Sequence, residues 1–390
     1  MKDVSIIGSG IAGIATSIRL ASKGYKVKVF EHNNYPGGKI NSIELDGFKF
    51  NYGPQLLTLP NLIDELYKCA GLDPKRYFKY KRKDIHCVYF WKDGTVFTAY
   101  DNIERYLKEF ESTFNIDSKT VEKYFKKSKK KYNLTNKVFL ESSLHKLSTY
   151  LSFETIKSMI QLGRLDINKS LHSLNQKSFK NQHAVQMFDR YATYNGSSPY
   201  KTPGIMSIIQ HLEHSFGTFI PEEGMDSIAK HLYNLANELD VEFFFNEPIE
   251  EILIKNNQAK GVALKNGNEF YSSNIVSNAD VKRTFLKLVD DKFLPPSFVK
   301  KVKNFKIRGS SGKVNIGLDS MPDFPAVPKG DPCIKGDIHF TDSIERMEKA
   351  YDDWKNGTWS QDPFLDMMIP TATDPTMAPP GKHFMSCFVQ

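Results

Sequence analysis

Cysteine is scarce in this chain. The 390 residues include four cysteines, Cys69, Cys87, Cys333 and Cys387. They are too few and too far apart for a disulfide framework or a zinc site, so the sequence does not belong to the disulfide-rich secreted proteins. We expect a reducing compartment and no bound metal.

Long hydrophobic runs are also lacking. No uninterrupted apolar run reaches the ~18 residues that a bilayer-spanning helix needs. A strand pattern at residues 4–7 begins almost at Met1 and leaves no room for a secretory leader. We therefore expect a cytoplasmic protein, either soluble or peripheral on the cytoplasmic membrane.

Acidic residues are outnumbered by basic ones, and the net charge is +8 with a pI near 9.0. Residues 75–83 alternate cations with aromatic rings, and residues 119–131 hold seven lysines and one acidic residue, Glu122. Such patches attract anionic lipid or nucleic acid, or they form a solvated helix face. Because no nucleic-acid-binding motif accompanies the charge, we expect no nucleic-acid partner.

A glycine cluster follows the first apolar run. Gly8 permits a tight turn, Gly10 allows a pyrophosphate to approach the backbone, and Gly13 allows the next helix to pack on the strand. A second strand pattern at residues 25–30 ends at Glu31, 18 residues after Gly13, where a carboxylate accepts from ribose hydroxyls. Strand, glycines, helix, strand and acid in this order predict a dinucleotide site and an adenosine ribose without a 2′-phosphate.

More small residues follow in the first hundred. Gly37 and Gly38 precede Lys39, which favours a second close backbone approach and a cation facing phosphate. A hairpin pattern around an Asp-Gly turn at 46–47 leads to Gly53 and Pro54, which bring backbone near a flat ring system. No cysteine pair with a short spacer occurs here, which argues against the flavoenzymes that reduce disulfides.

The middle of the chain is helical in period. Residues 102–180 contain few glycines or prolines and predict an inserted helical subdomain. Its lysine-rich stretch and the apolar segments 144–151 and 156–165 either rest on a membrane surface or pack on the core.

Two histidines, His211 and His214, flank Glu213 at a spacing that places both rings on one helical face. A metal site needs more ligands than this, so we assign no metal. With Asp189, these residues are candidate general bases by residue type alone, and the catalytic residue stays unknown.

The chain then returns to the nucleotide domain. Residues 226–239 predict a helix, residues 241–252 a strand, and a meander follows with turns at 256–257 and 266–267. A last strand ends at Ser277, so that Asn278 and Ala279 reach the cofactor.

At this point the sequence resembles the FAD-dependent carotenoid desaturases of the bacterial phytoene desaturase type. The segments that carry the resemblance are residues 8–13, 31, 35–39, 53–54, 190–196 and 277–280. Residues 191–203 and 211–214 are particularly similar to the flavobacterial 1-hydroxycarotenoid 3,4-desaturase branch.

The resemblance implies an α/β fold: a Rossmann-like FAD-binding domain with a discontinuous substrate domain and a helical insertion, as in amine-oxidase-like flavoproteins. It also implies FAD as cofactor, a hydrophobic polyene substrate drawn from a membrane, and hydride transfer to flavin with proton loss from the adjacent carbon. The cofactor-binding residues expected from motif and resemblance together are Gly8, Ser9, Gly10, Gly13, Glu31, Gly37, Gly38, Lys39, Gly53, Pro54, Ile249, Asn278 and Ala279.

The sequence departs from that family in three places. Glu223 stands where a glycine is common before Gly224, and residues from about 305 onward are more similar to pyridine nucleotide-disulphide oxidoreductase domain 2 proteins. The chain also stops in a strand pattern at 388–390, where the family continues, which suggests truncation at the C-terminus.

These observations predict four segments and leave three functions open. Residues 1–75 and 216–285 form the FAD-binding domain, residues 76–215 the helical, membrane-associating substrate domain, and residues 286–390 the rest of the substrate domain. The leading function is carotenoid desaturation. The alternatives are a flavin oxidoreductase of non-carotenoid substrate, or a flavin-binding or membrane-associating protein without turnover.

Overall fold

The structure of the chain is a computed structural model. The structure describes residues 2–139, 142, 146, 165–307, 311–340 and 343–389. The predicted apolar segments 144–151 and 156–165 lie almost entirely outside these residues.

Strands and helices are numbered here in chain order within the described residues. The strands are β1 Asp3–Ile7, β2 Lys26–Phe30, β3 Ser42–Leu45, β4 Phe48–Asn51, β5 Tyr80–Arg82, β6 Ile85–Phe90, β7 Val96–Tyr100, β8 Phe219–Pro221, β9 Glu242–Phe244, β10 Ile249–Lys255, β11 Gln258–Leu264, β12 Glu269–Tyr271, β13 Asn274–Ser277, β14 Gly312–Leu318, β15 Asp337–Phe340, β16 Leu365–Met368 and β17 His383–Val389. The helices are α1 Ile11–Ala21, α2 Asn61–Cys69, α3 Pro74–Tyr77, α4 Ile103–Phe114, α5 Ser118–Phe139, α6 Leu171–Ser178, α7 Gln182–Asp189, α8 Ile208–His211, α9 Ser227–Glu238, α10 Val281–Arg283, α11 Pro296–Asn304 and α12 Ile344–Lys355.

The chain divides into two compact units, and each is built from two separate stretches. The first unit comprises Met1–Lys81 and Phe219–Arg308, and the second comprises Arg82–Thr218 and Gly309–Gln390. The sequence predicts boundaries between the two domains after residues 75, 215 and 285. Residues 286–308, predicted as substrate domain, group with the first unit because Leu288, Val289 and Leu294 pack into its core.

A parallel sheet organises the first unit. Its four strands lie in the order β13-β1-β2-β9, with all neighbours parallel. The apolar face of α1, including Ile14 and Ile18, packs with Leu232 and Leu235 of α9 in one core beside the sheet. The α1 crossover places β2 next to β1, and β13 returns to the other side of β1, as expected from the residues that close the meander.

The predicted strand over 241–252 is wrong in one respect, because the structure has two strands there. Asn246 takes a left-handed backbone conformation (φ 56°) and Pro248 follows, so β9 ends and β10 starts a different sheet. That second sheet is the antiparallel meander β10-β11-β12. The predicted Asp-Gly hairpin forms β3 and β4, with φ values of 50° and 80° at Asp46 and Gly47.

A six-stranded mixed sheet organises the second unit, in the order β14-β17-β16-β15-β6-β7. One face carries Tyr89 and Phe97, which pack beneath the aromatic residues of α4, α5 and α7. The other face carries Val88, Ile338 and Met367, which join an apolar core with the segment near Cys333 and Ile334. Helices α4, α5 and α6 occupy the described part of the predicted helical insertion.

Candidate functional site

Three of the predicted cofactor residues meet at the carboxyl edge of the parallel sheet. Ile7 lies directly opposite both Phe30 and Ser277, so the next residues, Gly8, Glu31 and Asn278, emerge side by side. The backbone pairing continues past the strands: Gly8 N donates to Phe30 O (2.8 Å) and Asn278 N to Ile7 O (2.9 Å). In parallel α/β sheets this edge, where the strand order reverses, is the place where nucleotides bind.

The glycine loop is shaped as the motif requires. Gly8 has φ +92°, and a Cβ on Gly13 would lie 2.1 Å from Gly8 O, so a larger residue at 13 forces the helix away from the turn. A Cβ on Gly10 would approach Asn278 Nδ2 to 3.1 Å. Gly10 begins α1 without a side-chain cap, and the first turn has no acidic residue. The free amides and the helix dipole therefore suit an anion.

Glu31 is buried and held by its own chain. Its Oε2 accepts from Ser9 N (2.8 Å) and Ser9 Oγ (2.9 Å), and its Oε1 accepts from Asn33 N (3.0 Å) and lies 2.8 Å from His32 Nδ1. Ser9, predicted to bind the cofactor, thus places its hydroxyl on Glu31. A ribose hydroxyl that reaches this carboxylate has to share it with, or replace, one of these donors.

The second glycine cluster lies against the first. Gly37 N donates to Ser9 O (2.8 Å), and a Cβ on Gly38 would lie 3.3 Å from Gly10 Cα. Gly53 packs on Lys39 so closely that a Cβ there would lie 2.0 Å from Lys39 O. The side chain of Lys39 is exposed, and so is Pro54.

The last two predicted residues lie behind this edge. Ile249 is buried and pairs with Leu264 across β10 and β11. It shares a core with Ile7 and Phe30, the residues immediately before Gly8 and Glu31, and Ala279 packs against the same core. Ile249 and Ala279 therefore belong to the apolar core behind the site.

The residues present fit a dinucleotide. The helix amides and the glycine cradle, which side chains would fill, suit a pyrophosphate, and the carboxylate after β2 suits a ribose. Glu223 does not obstruct the fold, because its main chain avoids positive φ and its carboxylate lies 3.3 Å from His231 Nε2. The glycine that the turn does need is Gly224, with φ +89°.

The second unit contains a row of polar side chains across its sheet. Strand register aligns Asp366 of β16 with His339 of β15, and His339 with Tyr89 of β6. The His339 ring stacks on Tyr89 (centroids 5.0 Å apart) and its Nδ1 contacts the Asp366 carboxylate. The opposite face of these strands is apolar, so only one face carries polar groups suited to chemistry.

A buried ionic cluster lies above that face, and we call it the Arg190–Glu213 cluster. Arg190 Nη2 lies 3.4 Å from Glu213 Oε2, and the guanidinium lies over the Tyr89 ring (5.5 Å). The Tyr191 hydroxyl donates to Glu213 Oε1 (2.7 Å), and the Tyr194 hydroxyl donates to Glu213 Oε2 (3.1 Å). The cluster gathers residues from two irregular helical turns, the 3₁₀ helix Arg190–Asn195 and the π turn Leu212–Phe216.

Burial and charge act in opposite directions on this cluster. Burial alone raises the pKa of Glu213, but Arg190, His214 and His86, with the Tyr191 hydrogen bond, lower that pKa to about 2. Burial lowers the pKa of His214 to about 3, although Glu213 opposes this effect. At neutral pH Glu213 is therefore a carboxylate and His214 is neutral.

The residues singled out by type have different surroundings. Glu213 and His214 belong to the cluster, whereas His211 bonds Ser215 through Nδ1 (2.7 Å). Asp189 is buried and bonded to His172 and Asn175. Among the described residues no group of acids, histidines and cysteines has the arrangement of a metal site.

Comparison with known protein families identifies the family of the chain. A sequence profile described as flavin containing amine oxidoreductase matches residues 11–386. The chain belongs to this family. As a flavin-containing amine oxidoreductase it is a flavin-dependent oxidoreductase, and the predicted amine-oxidase-like fold is confirmed.

Sequence relatives of this chain include carotenoid enzymes. It is 40% identical over 98% of its length to a 1-hydroxycarotenoid 3,4-desaturase from Flavobacterium sp. (strain P99-3), of which it covers 75%. It is 26% identical over 97% of its length to a 4,4′-diapolycopene oxygenase from Methylomonas sp, covering 73% of that protein. The predicted resemblance to the carotenoid desaturases is confirmed.

Solved structures support the same fold. An oxidoreductase from Methanosarcina mazei superposes with a TM-score of 0.63 at 16% identity, covering 99% of this chain and 78% of that one. Putrescine oxidase bound to putrescine gives 0.61 at 14% identity, covering 100% and 75%. At these identities the likeness concerns the fold alone.

Proposed function

We propose that this chain is an FAD-dependent desaturase that acts on a carotenoid or carotenoid precursor in carotenoid biosynthesis. The observation that carries the proposal is the 40% identity over 98% of the chain to a 1-hydroxycarotenoid 3,4-desaturase. The glycine loop and Glu31 support FAD as the flavin, because they suit the adenosine and pyrophosphate that distinguish FAD from a flavin mononucleotide.

The cofactor supplies the difficult step when bound, since it accepts a hydride from a saturated carbon while a proton leaves the neighbouring carbon. The chain's own residues bind and orient. Amides at the start of α1 would hold the pyrophosphate, Ser9 and Asn33 keep Glu31 in place, and Gly37 and Gly38 keep their loop close to the glycine turn.

The first experiment is to purify the chain, record its visible spectrum, and identify the released flavin after denaturation. We expect stoichiometric FAD. The loaded protein is then given a 1-hydroxycarotenoid in liposomes, and the product is analysed by absorption and mass spectrometry. Loss of hydrogen with a red-shifted spectrum supports desaturation. Gain of oxygen, or turnover of small polar substrates alone, contradicts it, and FAD binding without any turnover favours a non-catalytic protein.

We also propose that the chain binds an anionic membrane surface through helix α5. Its exposed lysines are Lys119, Lys123, Lys126, Lys127, Lys129 and Lys130, and Lys126 pairs with Glu122 (3.4 Å). Such a row gains about 1 kcal/mol per cation near an anionic leaflet. Within the described residues no helix combines the length and apolar character needed to cross a membrane.

Co-sedimentation with vesicles tests this contact. We expect binding to phosphatidylglycerol-containing vesicles that weakens with salt and falls when Lys123, Lys127 and Lys130 are changed to glutamate. Changing the exposed Lys292, Lys329 and Lys382 to glutamate gives the same change in net charge and is the control. Equal binding by both variants would contradict a role for α5.

A further inference from the structure

Tyr194 is an exposed residue whose hydroxyl is hydrogen-bonded at both sides. The residue is 51% exposed, yet its hydroxyl accepts from Arg190 Nη1 (3.1 Å) and donates to Glu213 Oε2 (3.1 Å). Two hydrogen bonds at the far end of the ring fix its orientation. The Tyr191 ring stacks nearly parallel behind it, with centroids 6.0 Å apart and planes 12° apart. A large apolar surface is therefore rigidly presented instead of being buried.

The buried ion pair that holds this ring costs desolvation free energy, so it is a poor means of stabilising the fold alone. Arg190 and Glu213 are 1% and 5% exposed, so both charges are removed from water. Well-packed apolar residues often stabilise a protein as well as a buried ion pair does, and one cation atom here, Arg190 Nε, has no hydrogen-bond partner among the described residues. The pair is better explained by the positions that it fixes than by stability.

The local backbone conformation also indicates a functional role for these residues. Arg190, Tyr191 and Tyr194 lie on a 3₁₀ helix, and Glu213 lies on a π turn. Single π turns within helices occur frequently at functional sites, because the extra residue changes where the side chains point. Here the π turn aims Glu213 at the two tyrosine hydroxyls.

The chemistry of the presented surface suits a hydrocarbon. Glu213 is buried and already receives Arg190, Tyr191 and Tyr194, so its carboxylate is not offered to an amine. Tyr194 is the exposed residue of the three, and a flat aromatic ring packs well against a flat conjugated chain.

We propose that Tyr194 contacts the polyene, and that Arg190 and Glu213 are positioning residues that hold its ring. The conjugated chain packs against the ring of Tyr194, and this contact restricts the lateral movement of the substrate during turnover. This inference rests on the proposed function and adds to it a substrate-contacting residue.

The test compares Tyr194→Leu with Tyr200→Leu. Tyr200 is 44% exposed in the same segment, but its ring packs against His172 at a tilt of 36°, with centroids 4.2 Å apart. The FAD-loaded proteins are assayed with a 1-hydroxycarotenoid in detergent micelles. We expect Tyr194→Leu to raise KM about tenfold with unchanged FAD content, and Tyr200→Leu to leave KM unchanged.

Tyr194→Phe separates the ring from its anchor. It keeps the apolar face and loses both hydrogen bonds, so we expect KM near the wild-type value and a several-fold lower kcat, because the substrate is then held in a less fixed position. If Tyr194→Leu fails to fold, Tyr194→Met takes its place in the KM comparison, and an unchanged KM overturns the contact. An unchanged kcat in Tyr194→Phe overturns the positioning role of Arg190 and Glu213.

The two proposals fail in different ways. If the wild-type FAD-loaded chain neither binds nor desaturates the polyene, carotenoid desaturation itself is contradicted. If the wild type desaturates the polyene and Tyr194→Leu does so with the same KM and kcat, only the role of Tyr194 is overturned.

Discussion

At the scale of single residues, Glu31 is the residue that we propose to bind the adenosine ribose of the cofactor. It is 4% exposed and receives two donors from Ser9 and one from Asn33. A buried acid with this many donors is oriented before any ribose arrives, and pre-orientation reduces the ordering cost of binding.

We predict that Glu31→Ala weakens FAD binding by at least tenfold, because the ribose loses its acceptor. Ser9→Ala removes one donor to Oε2 while the backbone N–H of Ser9 remains, so its effect is smaller, about two- to fivefold. Titration of the flavin-free protein, followed by flavin fluorescence, measures both. Equal affinity of Glu31→Ala and wild type would refute the ribose assignment.

Gly13 and Gly24 provide a matched pair of glycines. A Cβ at 13 would lie 2.1 Å from Gly8 O, whereas a Cβ at Gly24 meets nothing within 4 Å, although Gly24 has φ +79°. We predict that Gly13→Ala abolishes FAD binding and destabilises the first unit, while Gly24→Ala costs about 1 kcal/mol and leaves affinity intact. Thermal melting and flavin titration distinguish the two outcomes. A flavin-binding Gly13→Ala protein would mean that the loop has another arrangement.

At the scale of single elements, neighbouring lysines of helix α5 differ in their burial and their contacts. Lys131 is buried, with Nζ 2.9 Å from Asp166 Oδ2 and donating to Gly204 O and Ser207 Oγ, each at 3.0 Å. Lys130 is exposed. Period and charge in the sequence predict the helix, but they do not distinguish the cation that anchors it from the cations that face solvent.

We predict that Lys131→Ala destabilises the second unit by about 3 kcal/mol or more, because Asp166 keeps its charge without its main partner. Lys130→Ala should change stability by less than about 0.5 kcal/mol. Urea unfolding of each variant measures the difference. Similar midpoints for both would show that Lys131 adds little to the anchoring of α5.

The secondary-structure elements also show which features can be predicted from the sequence and which cannot. Gly8, Gly13 and Glu31 were predictable because one βαβ unit fixes their spacing, and Asn278 because a parallel strand must end at the same edge. The Arg190–Glu213 cluster was not, since its two charges are 23 residues apart on irregular turns that periodicity does not reveal. The available signal was one acid, one arginine and three tyrosines between residues 190 and 213, and it does not specify contacts. The break between β9 and β10 was missed because one asparagine took positive φ.

At the scale of the whole molecule, buried ionisable groups set the response to acid. The pKa of His214 is lowered from 6.5 to about 3 in the folded chain, so the unfolded chain binds the extra proton between these values. Its contribution is complete above about pH 6.5 and is lost as pH falls toward 3. Glu213, whose pKa falls to about 2, adds a second loss below about pH 4.5.

We predict that unfolding free energy falls by about 1.4 kcal/mol per pH unit from His214 alone between roughly pH 6 and pH 4. His214→Phe keeps a ring against Phe125 and Tyr106 and removes the titration, so its stability should depend less on pH over this range. Denaturant unfolding at pH 7, 6, 5 and 4 checks both proteins. Parallel pH profiles would assign the acid sensitivity to other groups.

The order in which the first unit is assembled follows from its discontinuity. Asp3 at the start of β1 bonds Ser273, 270 positions later, and β13 completes the sheet beside β1. During synthesis β1 leaves the ribosome first. Its second neighbour, β13, is synthesised about 270 residues later. Contacts between residues this distant in sequence form slowly. Asn278 completes the edge that we propose for the nucleotide, so we expect cofactor loading to be late in biogenesis and a stalled nascent chain that lacks β13 to capture no flavin.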